Sequence, residues 1–175
     1  MVTIITVVIR KNNMKNLILL RHAKSSWKDA SIDDIDRPLN NRGKQTAPLI
    51  AKIFLSKNIL IDKIISSSSK RTTDTSKIFA AILNYEQNII FEPNLYLASD
   101  LKILNTIKMI DEKSNNVLLV AHNPGITNLA NKLGEHRIEN IPTAGMIGFS
   151  FDGEWINFTN EKCKFLFYEY PNKIN

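Results

Sequence analysis

Two histidines and two arginines stand out by where they fall. Arg21-His22 closes the apolar run 17–20. Lys70-Arg71 follows the run 60–65 and a stretch of four serines. His122 closes the run 117–121. Imidazole has an unperturbed pKa near 6.5, so it is largely neutral at pH 7 and can act as a nucleophile. Guanidinium groups hold phosphoryl oxygens through paired N–H donors. Together these residues suit one chemistry. His22 attacks phosphorus in line and becomes phosphohistidine. Arg21, Arg71 and a protonated His122 neutralise the equatorial oxygens, and water then hydrolyses the intermediate.

Such residues act together only if the fold brings them together. The runs 17–20, 89–91 and 117–121 are continuously apolar and, with the largely apolar stretch 60–65, read as strands buried on both faces. Between them lie helical patterns. Asn40 is placed to cap a helix carrying Ala47, Ile50, Ala51, Phe54 and Leu55. A second helix is expected over 71–83. A third starts at Ser99 or Asp100, with Leu101, Leu104, Ile107 and Ile110 on one face. A fourth runs to Leu133, with Asn123 as N-cap and Pro124 in its first turn. The stretch 146–168 reads as further strands, with a turn at Asp152-Gly153.

Strands alternating with helices predict an α/β fold, with a mostly parallel central sheet covered on both faces. Ligands of such sheets bind beyond the carboxyl ends of the strands, and the histidines and arginines fall at those ends. Clustered there, they form an electropositive pocket with no charge to balance it. Buried cations without partners are costly, so a bound anion is expected. Lys70-Arg71 at a helix N-terminus, where the macrodipole disfavours cations, points the same way. Gly43, near its helix start, is expected to allow close backbone approach.

The segment Leu19-Leu20-Arg21-His22-Ala23-Lys24-Ser25-Ser26-Trp27 resembles the Arg-His-Gly/Ala signature of the histidine phosphatase superfamily, closest to its SixA-like phosphohistidine phosphatase branch. Arg37-Pro38-Leu39-Asn40 with Arg42-Gly43 resembles that branch's second motif. The run Ser66 to Ser69 with Lys70-Arg71 and Thr75 resembles the motif of the second arginine. Ala121-His122-Asn123-Pro124-Gly125 resembles that of the second histidine. Pro142-Thr143-Ala144-Gly145 and the Trp155 region match its C-terminal end. One short motif is weak, but four in order are specific.

The resemblance spans 14–171. It implies a three-layer α/β/α sandwich of the phosphoglycerate mutase-like type, with His22 as nucleophile and Arg21, Arg71 and His122 as the rest of the phosphate pocket. It implies Arg37 as a neighbour of that pocket, and neither a cofactor nor a metal. Relatives acting on phosphate esters carry a carboxylic acid that protonates the leaving oxygen. Leu97 and Asn123 stand at the corresponding positions, and Glu92 is out of register. An alkoxide needs that proton to leave, whereas imidazole leaves a P–N bond more readily. Protein phosphohistidine is therefore the expected substrate. An Asp from the loop 30–36 reaching the site would reopen ester chemistry.

The chain of 175 residues carries 43% hydrophobic and 23% charged residues, enough for one domain with a real core. Residues 1–13, with a second methionine at position 14, read as an extension outside the domain 14–171. Their apolar run is too short to span a bilayer. The single cysteine, Cys163, rules out an internal disulfide and fits a reducing, cytoplasmic setting. A net charge of +6 favours anionic partners, but no Lys/Arg block or basic-aromatic stripe points to nucleic acid.

The expected partner is a phosphorylated protein or a small phosphorylated substrate, with neither nucleic acid nor membrane. Nothing in the pattern reports an oligomeric state. Trp27 and Trp155 read as core or rim packing, His136 as an exposed loop residue, and Asp33, Asp34 and Asp36 as loop acids rather than metal ligands. Three rival readings stand beside the phosphohistidine phosphatase: a phosphatase of small esters or nucleotides, a phosphoprotein-binding module without turnover, and a charge-driven nucleic-acid-binding role.

Overall fold

The computed structural model describes residues 13–135, 137–159 and 163–173. The expected extension, except Asn13, and the expected exposure of His136 lie outside the described residues. Six strands form one sheet: β1 (Met14–Arg21), β2 (Lys63–Ser67), β3 (Ile90–Glu92), β4 (Asn116–Ala121), β5 (Met146–Asp152) and β6 (Lys164–Glu169), in the order β3-β2-β4-β1-β5-β6. The first four are mutually parallel, while β5 and β6 are antiparallel additions. Four helices accompany them: α1 (Asn41–Leu55), α2 (Lys70–Ile82), α3 (Asp100–Lys108) and α4 (Gly125–Leu133).

Alternation along each central strand divides the core in two. Leu17, Leu19, Val117 and Leu119 pack on the α3–α4 side, with Ile103, Ile107, Ile126 and Leu129. Ile18, Leu20, Leu118 and Val120 pack on the α1–α2 side, with Ala47, Ile50, Phe54 and Phe79. These strands are apolar throughout because both faces are covered. The result is the expected three-layer α/β/α arrangement. No helix among the described residues is long and apolar enough to cross a membrane.

Helix caps follow the sequence closely. The Asn40 side chain accepts from Gly43 N at 2.9 Å, and Ser99 rather than Asp100 caps α3. Ser69 caps α2, accepting from Thr72 N. Gly43 lies so close to the Lys24 backbone that a Cβ would collide with the Lys24 carbonyl oxygen. That contact pins the segment after His22 against α1.

Some expectations fail on packing. Leu60 is 82% exposed, and β2 begins only at Lys63. Its carboxyl end takes in Ser66 and Ser67, so the serine run is half strand and half cap. On α3 the buried face is Ile103 and Ile107, which share a core with Ile126 and Leu129 of α4, while Leu101 is turned outward. Asn123 is not an N-cap. The Asn123–Pro124 bond is cis, Pro124 takes the cap position, and α4 starts without a side-chain cap.

Candidate active site

β1, β2 and β4 are adjacent and parallel, so their carboxyl ends share one edge, with Arg21 opposite Ala121 in register. His22 and His122 follow these two strands directly. Their rings lie with centroids 5.1 Å apart, and both are buried. His22 N donates to Ala121 O, and the His22 carbonyl accepts from Ala144 N at 3.1 Å in the turn before β5. Thr75 joins this strand end to α2: its hydroxyl accepts from Ala23 N at 3.0 Å and donates to the Arg71 carbonyl at 2.7 Å. An open cavity of about 370 Å³ lies over His22, walled by Arg21, Arg37, Arg71, Asp34, Trp27 and Leu97 among others. His122 is beside His22, though not among the residues that line the cavity.

The hydrogen-bond network fixes the ring nitrogens. His22 Nδ1 lies 2.8 Å from the Ala23 carbonyl, which can only accept. Nδ1 therefore carries the proton and Nε2 keeps its lone pair. Burial depresses the His22 pKa to about 4; the hydrogen bond to Ala23 opposes this, while the positive charges of Arg71, Arg21 and Arg37 add to it.

The sequence reading casts His122 as protonated; its surroundings hold it neutral. Burial first, then the nearby His22, Arg71 and Arg21, bring it to about 3, against a weaker opposing pull from Asp34. His122 Nε2 lies 2.8 Å from Ser67 Oγ. With the hydroxyl donating to Nε2, neutral His122 carries its proton on Nδ1. That nitrogen is buried and has no partner, as is Arg21 Nε; these are the two such side-chain atoms among the described residues.

The arginines are held differently. Arg21 Nη1 donates to Ile141 O at 2.6 Å and Asn140 Oδ1 at 3.3 Å. Buried Arg37 donates to Ser26 O, Ser25 Oγ and Asp34 Oδ1, and its guanidinium lies over the Trp27 ring at 3.2 Å. Buried Arg71 donates through Nη2 to Asp34 Oδ2 at 2.8 Å and through Nη1 to the Asp34 carbonyl. Lys70 turns away and pairs with Asp74 on α2.

Asp34 is the loop acid that reaches the site. Tyr96 O–H also donates to its Oδ2, at 2.7 Å. Burial favours its protonation, but the bonds from Tyr96 and Arg71 and the charges of Arg71 and Arg37 outweigh that, holding it at about 2.

All five residues picked out in the sequence, Arg21, His22, Arg37, Arg71 and His122, thus come together. The two positions flagged for a missing acid are also on view. Leu97, at positive φ (48°) and 56% exposed, borders the cavity. The Asn123 amide bonds Asn140 and Ile141 and accepts from Thr127. Glu92 caps the 3-10 turn Pro93–Leu95. Trp27 is a rim residue at 75% exposure, while Trp155 is fully buried, donating to Ser114 O. Cys163 is half-buried and burial pushes its thiol up to about 11. No group of three or more His, Cys, Asp or Glu among the described residues could hold a metal ion. Sequence reasoning overlooked Ser67 and Tyr96. The serine run offered a signal for the first, and the second carried none.

Comparison with known proteins agrees with this arrangement. The family model of the histidine phosphatase superfamily (branch 1) matches residues 17–96. An uncharacterized chloroplastic protein of Arabidopsis thaliana is 32% identical over 150 residues, covering 81% of this chain and 69% of that protein. Among solved structures, the protein histidine phosphatase SixA complexed with tungstate superposes with a TM-score of 0.77 at 19% identity, over 91% of this chain and 99% of that one. A phosphoglycerate mutase from Bacillus anthracis superposes with a TM-score of 0.68 at 15% identity, over 89% and 92%. The fold is thus phosphoglycerate mutase-like.

Proposed function

We propose that this chain, which belongs to the histidine phosphatase superfamily, is a metal-independent phosphatase that forms a covalent phosphohistidine on His22 and acts on protein phosphohistidine. The observation that carries this reading is the pair of buried side-chain nitrogens without partners, Arg21 Nε and His122 Nδ1, beside a His22 whose Nδ1 faces the Ala23 carbonyl and leaves Nε2 its lone pair. Unpaired buried donors cost free energy, of the order of 1–3 kcal/mol each, which a bound oxyanion would recover. In this reading a phosphoryl group on Nε2 supplies their partner and lies among the three guanidinium groups of the cavity wall. Tungstate, a tetrahedral oxyanion with which the SixA neighbour was complexed, is a suitable probe of this pocket.

In the proposed reaction His22 Nε2 attacks phosphorus, and the bond to the leaving group breaks with its electron pair going to that group. Arg21, Arg37 and Arg71 offset the charge on the equatorial oxygens. His122 donates from Nδ1 as a neutral imidazole, with Ser67 setting the tautomer. The Ala23 carbonyl stabilises the cationic character that His22 Nδ1–H acquires as Nε2 bonds phosphorus. Water then attacks the phosphohistidine and His22 leaves neutral.

The choice of substrate rests on proton supply. Leu97 and Asn123 cannot act as acids. Asp34, the carboxyl group in the cavity wall, is held ionised. An alkoxide would leave unassisted, which is slow, whereas an imidazole needs no proton delivered to its departing nitrogen.

The test is phosphate release, in chelator, from a histidine-phosphorylated protein and from an alkyl phosphate such as glycerol 2-phosphate, whose alkoxide needs a proton to leave, by wild type and His22→Ala. Preference for phosphohistidine and a dead variant are expected. Faster turnover of the ester would place the protein among small-ester phosphatases. Inertness toward both would leave a phosphoprotein-binding module.

A further inference from the structure

Asp34 poses a question that phosphate binding does not answer. A cavity walled by Arg21, Arg37 and Arg71 is suited to a phosphoryl group, yet a carboxylate stands in the same wall. Its charge opposes that of the phosphoryl oxygens. Arg37 does not require it as an anchor, having Ser26 O and Ser25 Oγ as partners, and Arg71 is held through Oδ2 and the Asp34 carbonyl, which leaves Oδ1 outside that role. Asp34 is nonetheless fixed with care. Arg71 and Tyr96 both donate to Oδ2, Arg37 donates to Oδ1, and Arg71 also takes the Asp34 carbonyl. A carboxylate oxygen can accept two hydrogen bonds. Oδ2 has both, while Oδ1 has one and can take another. The side chain is 42% exposed. A fixed, accessible anion with one spare acceptor site, facing a phosphoryl pocket, is suited to a donor carried by the leaving group.

We propose that Asp34 is a specificity-determining residue whose Oδ1 receives the distal ring N–H of a phosphohistidine substrate, holding that ring in the protonated form from which it departs. The inference rests on the phosphohistidine reading above and names what selects that substrate. In the transfer, the His22 Nε2 lone pair forms the new N–P bond. The old P–N bond breaks and its electron pair stays on the substrate ring. A ring already protonated at its distal nitrogen departs as neutral imidazole, with no proton moved to the departing atom. A ring without that proton would have to leave as imidazolate, a far poorer leaving group. The same carboxylate repels leaving groups that carry acids of their own, such as phosphorylated carboxylic acids and nucleotides.

The charged and titratable groups around Asp34 are Arg37 on its own loop, Arg71 from α2, Tyr96 after β3 and His122 after β4. All except neutral His122 and neutral Tyr96 are permanent cations, so Asp34 stays ionised across the working range. This yields a signature in pH. Below about pH 6.5, the range where a free imidazole gains its proton, solvent protonates much of the substrate ring regardless. Above it, the ring depends on Asp34.

The experiment compares wild type, Asp34→Asn and Asp34→Glu on chemically phosphorylated polyhistidine from pH 5.5 to 8.5, with the tungstate inhibition constant measured alongside. In Asp34→Asn, kcat/KM is expected to fall about tenfold or more at pH 8.5, the scale of one hydrogen bond to a charged group, and less than about threefold at pH 5.5. Tungstate should bind as well or more tightly. Asp34→Glu, which keeps the charge, should recover part of the alkaline activity. A loss in equal proportion at every pH, or tungstate binding weakened by the same factor, would show that Asp34 only positions the arginines and would overturn the inference. Wild type active on phosphohistidine with an unaltered profile in Asp34→Asn would leave the function standing and sink this assignment alone. Wild type inactive on phosphohistidine would remove both.

Discussion

Replacing His22 by Asn should make the protein less sensitive to acid. Burial, with the nearby arginines, lowers the His22 pKa from 6.5 to about 4. The unfolded chain therefore takes up a proton below about pH 6.5, and the folded protein only below about 4. Between those values protons favour the unfolded state, and stability falls as pH falls through the window. The gap of about 2.5 pH units, at about 1.4 kcal/mol each, is worth about 3 kcal/mol in full, of which about 2 kcal/mol is lost between pH 7 and pH 4.5. Asn keeps an N–H able to reach the Ala23 carbonyl, so at pH 7 the variant should match wild type to within about 1 kcal/mol. His122 and the depressed carboxylates Asp34, Asp100 and Asp111 are present in both proteins and cancel to first order in the difference. Urea unfolding of both proteins at pH 7 and pH 4.5 reads the quantity directly. A wild-type excess loss of about 2 kcal/mol at pH 4.5 is expected. Equal losses in the two proteins would mean that His22 titrates normally, and the account of it as a desolvated neutral nucleophile would fail.

Two other substitutions probe the supports of the site. Ser67→Ala leaves buried His122 Nε2 without its partner; stability should drop by about 1–3 kcal/mol, and kcat should fall more than KM changes. Imidazole ¹⁵N spectra should move away from the Nδ1–H tautomer of His122, and an unshifted spectrum would remove Ser67 from the mechanism. Gly43→Ala forces a methyl group into the Lys24 carbonyl, so thermal unfolding should report a loss of about 1–3 kcal/mol. Because Lys24 lies two residues after His22, activity should fall with it, and full activity at unchanged stability would contradict the close packing.

Much of this architecture was legible in the chain because parallel strands under two helical layers must be apolar on both faces. Runs such as 17–20 and 117–121 therefore declare themselves, and a polar residue at the end of each is conspicuous. Parallel pairing then puts those ends on one edge whatever the details of packing, which is why Arg21, His22, Arg71 and His122 could be grouped from order alone. Arg37 was legible only through its resemblance to a known motif. Local chemistry was equally readable at Asn40 and Ser99, where a side-chain oxygen meets an orphan backbone N–H a few residues on.

Other features depend on which distant surfaces meet. Leu101 and Leu60 belong to apolar patterns, yet both are exposed, because which residues of α3 meet α4 and where β2 begins are set by neighbours. Asp34 is one of several loop acids in the sequence. Only the folded loop brings it to Arg37, Arg71 and Tyr96 while Asp33 and Asp36 stay outside that cluster. Ser67 was one serine in four until the β2–β4 pairing set it against His122. The protonation states belong wholly to the tertiary structure. Neither histidine's own segment accounts for a pKa near 3 or 4 in place of 6.5; removal from water does so first, with guanidinium groups such as Arg71 brought in from elsewhere in the chain.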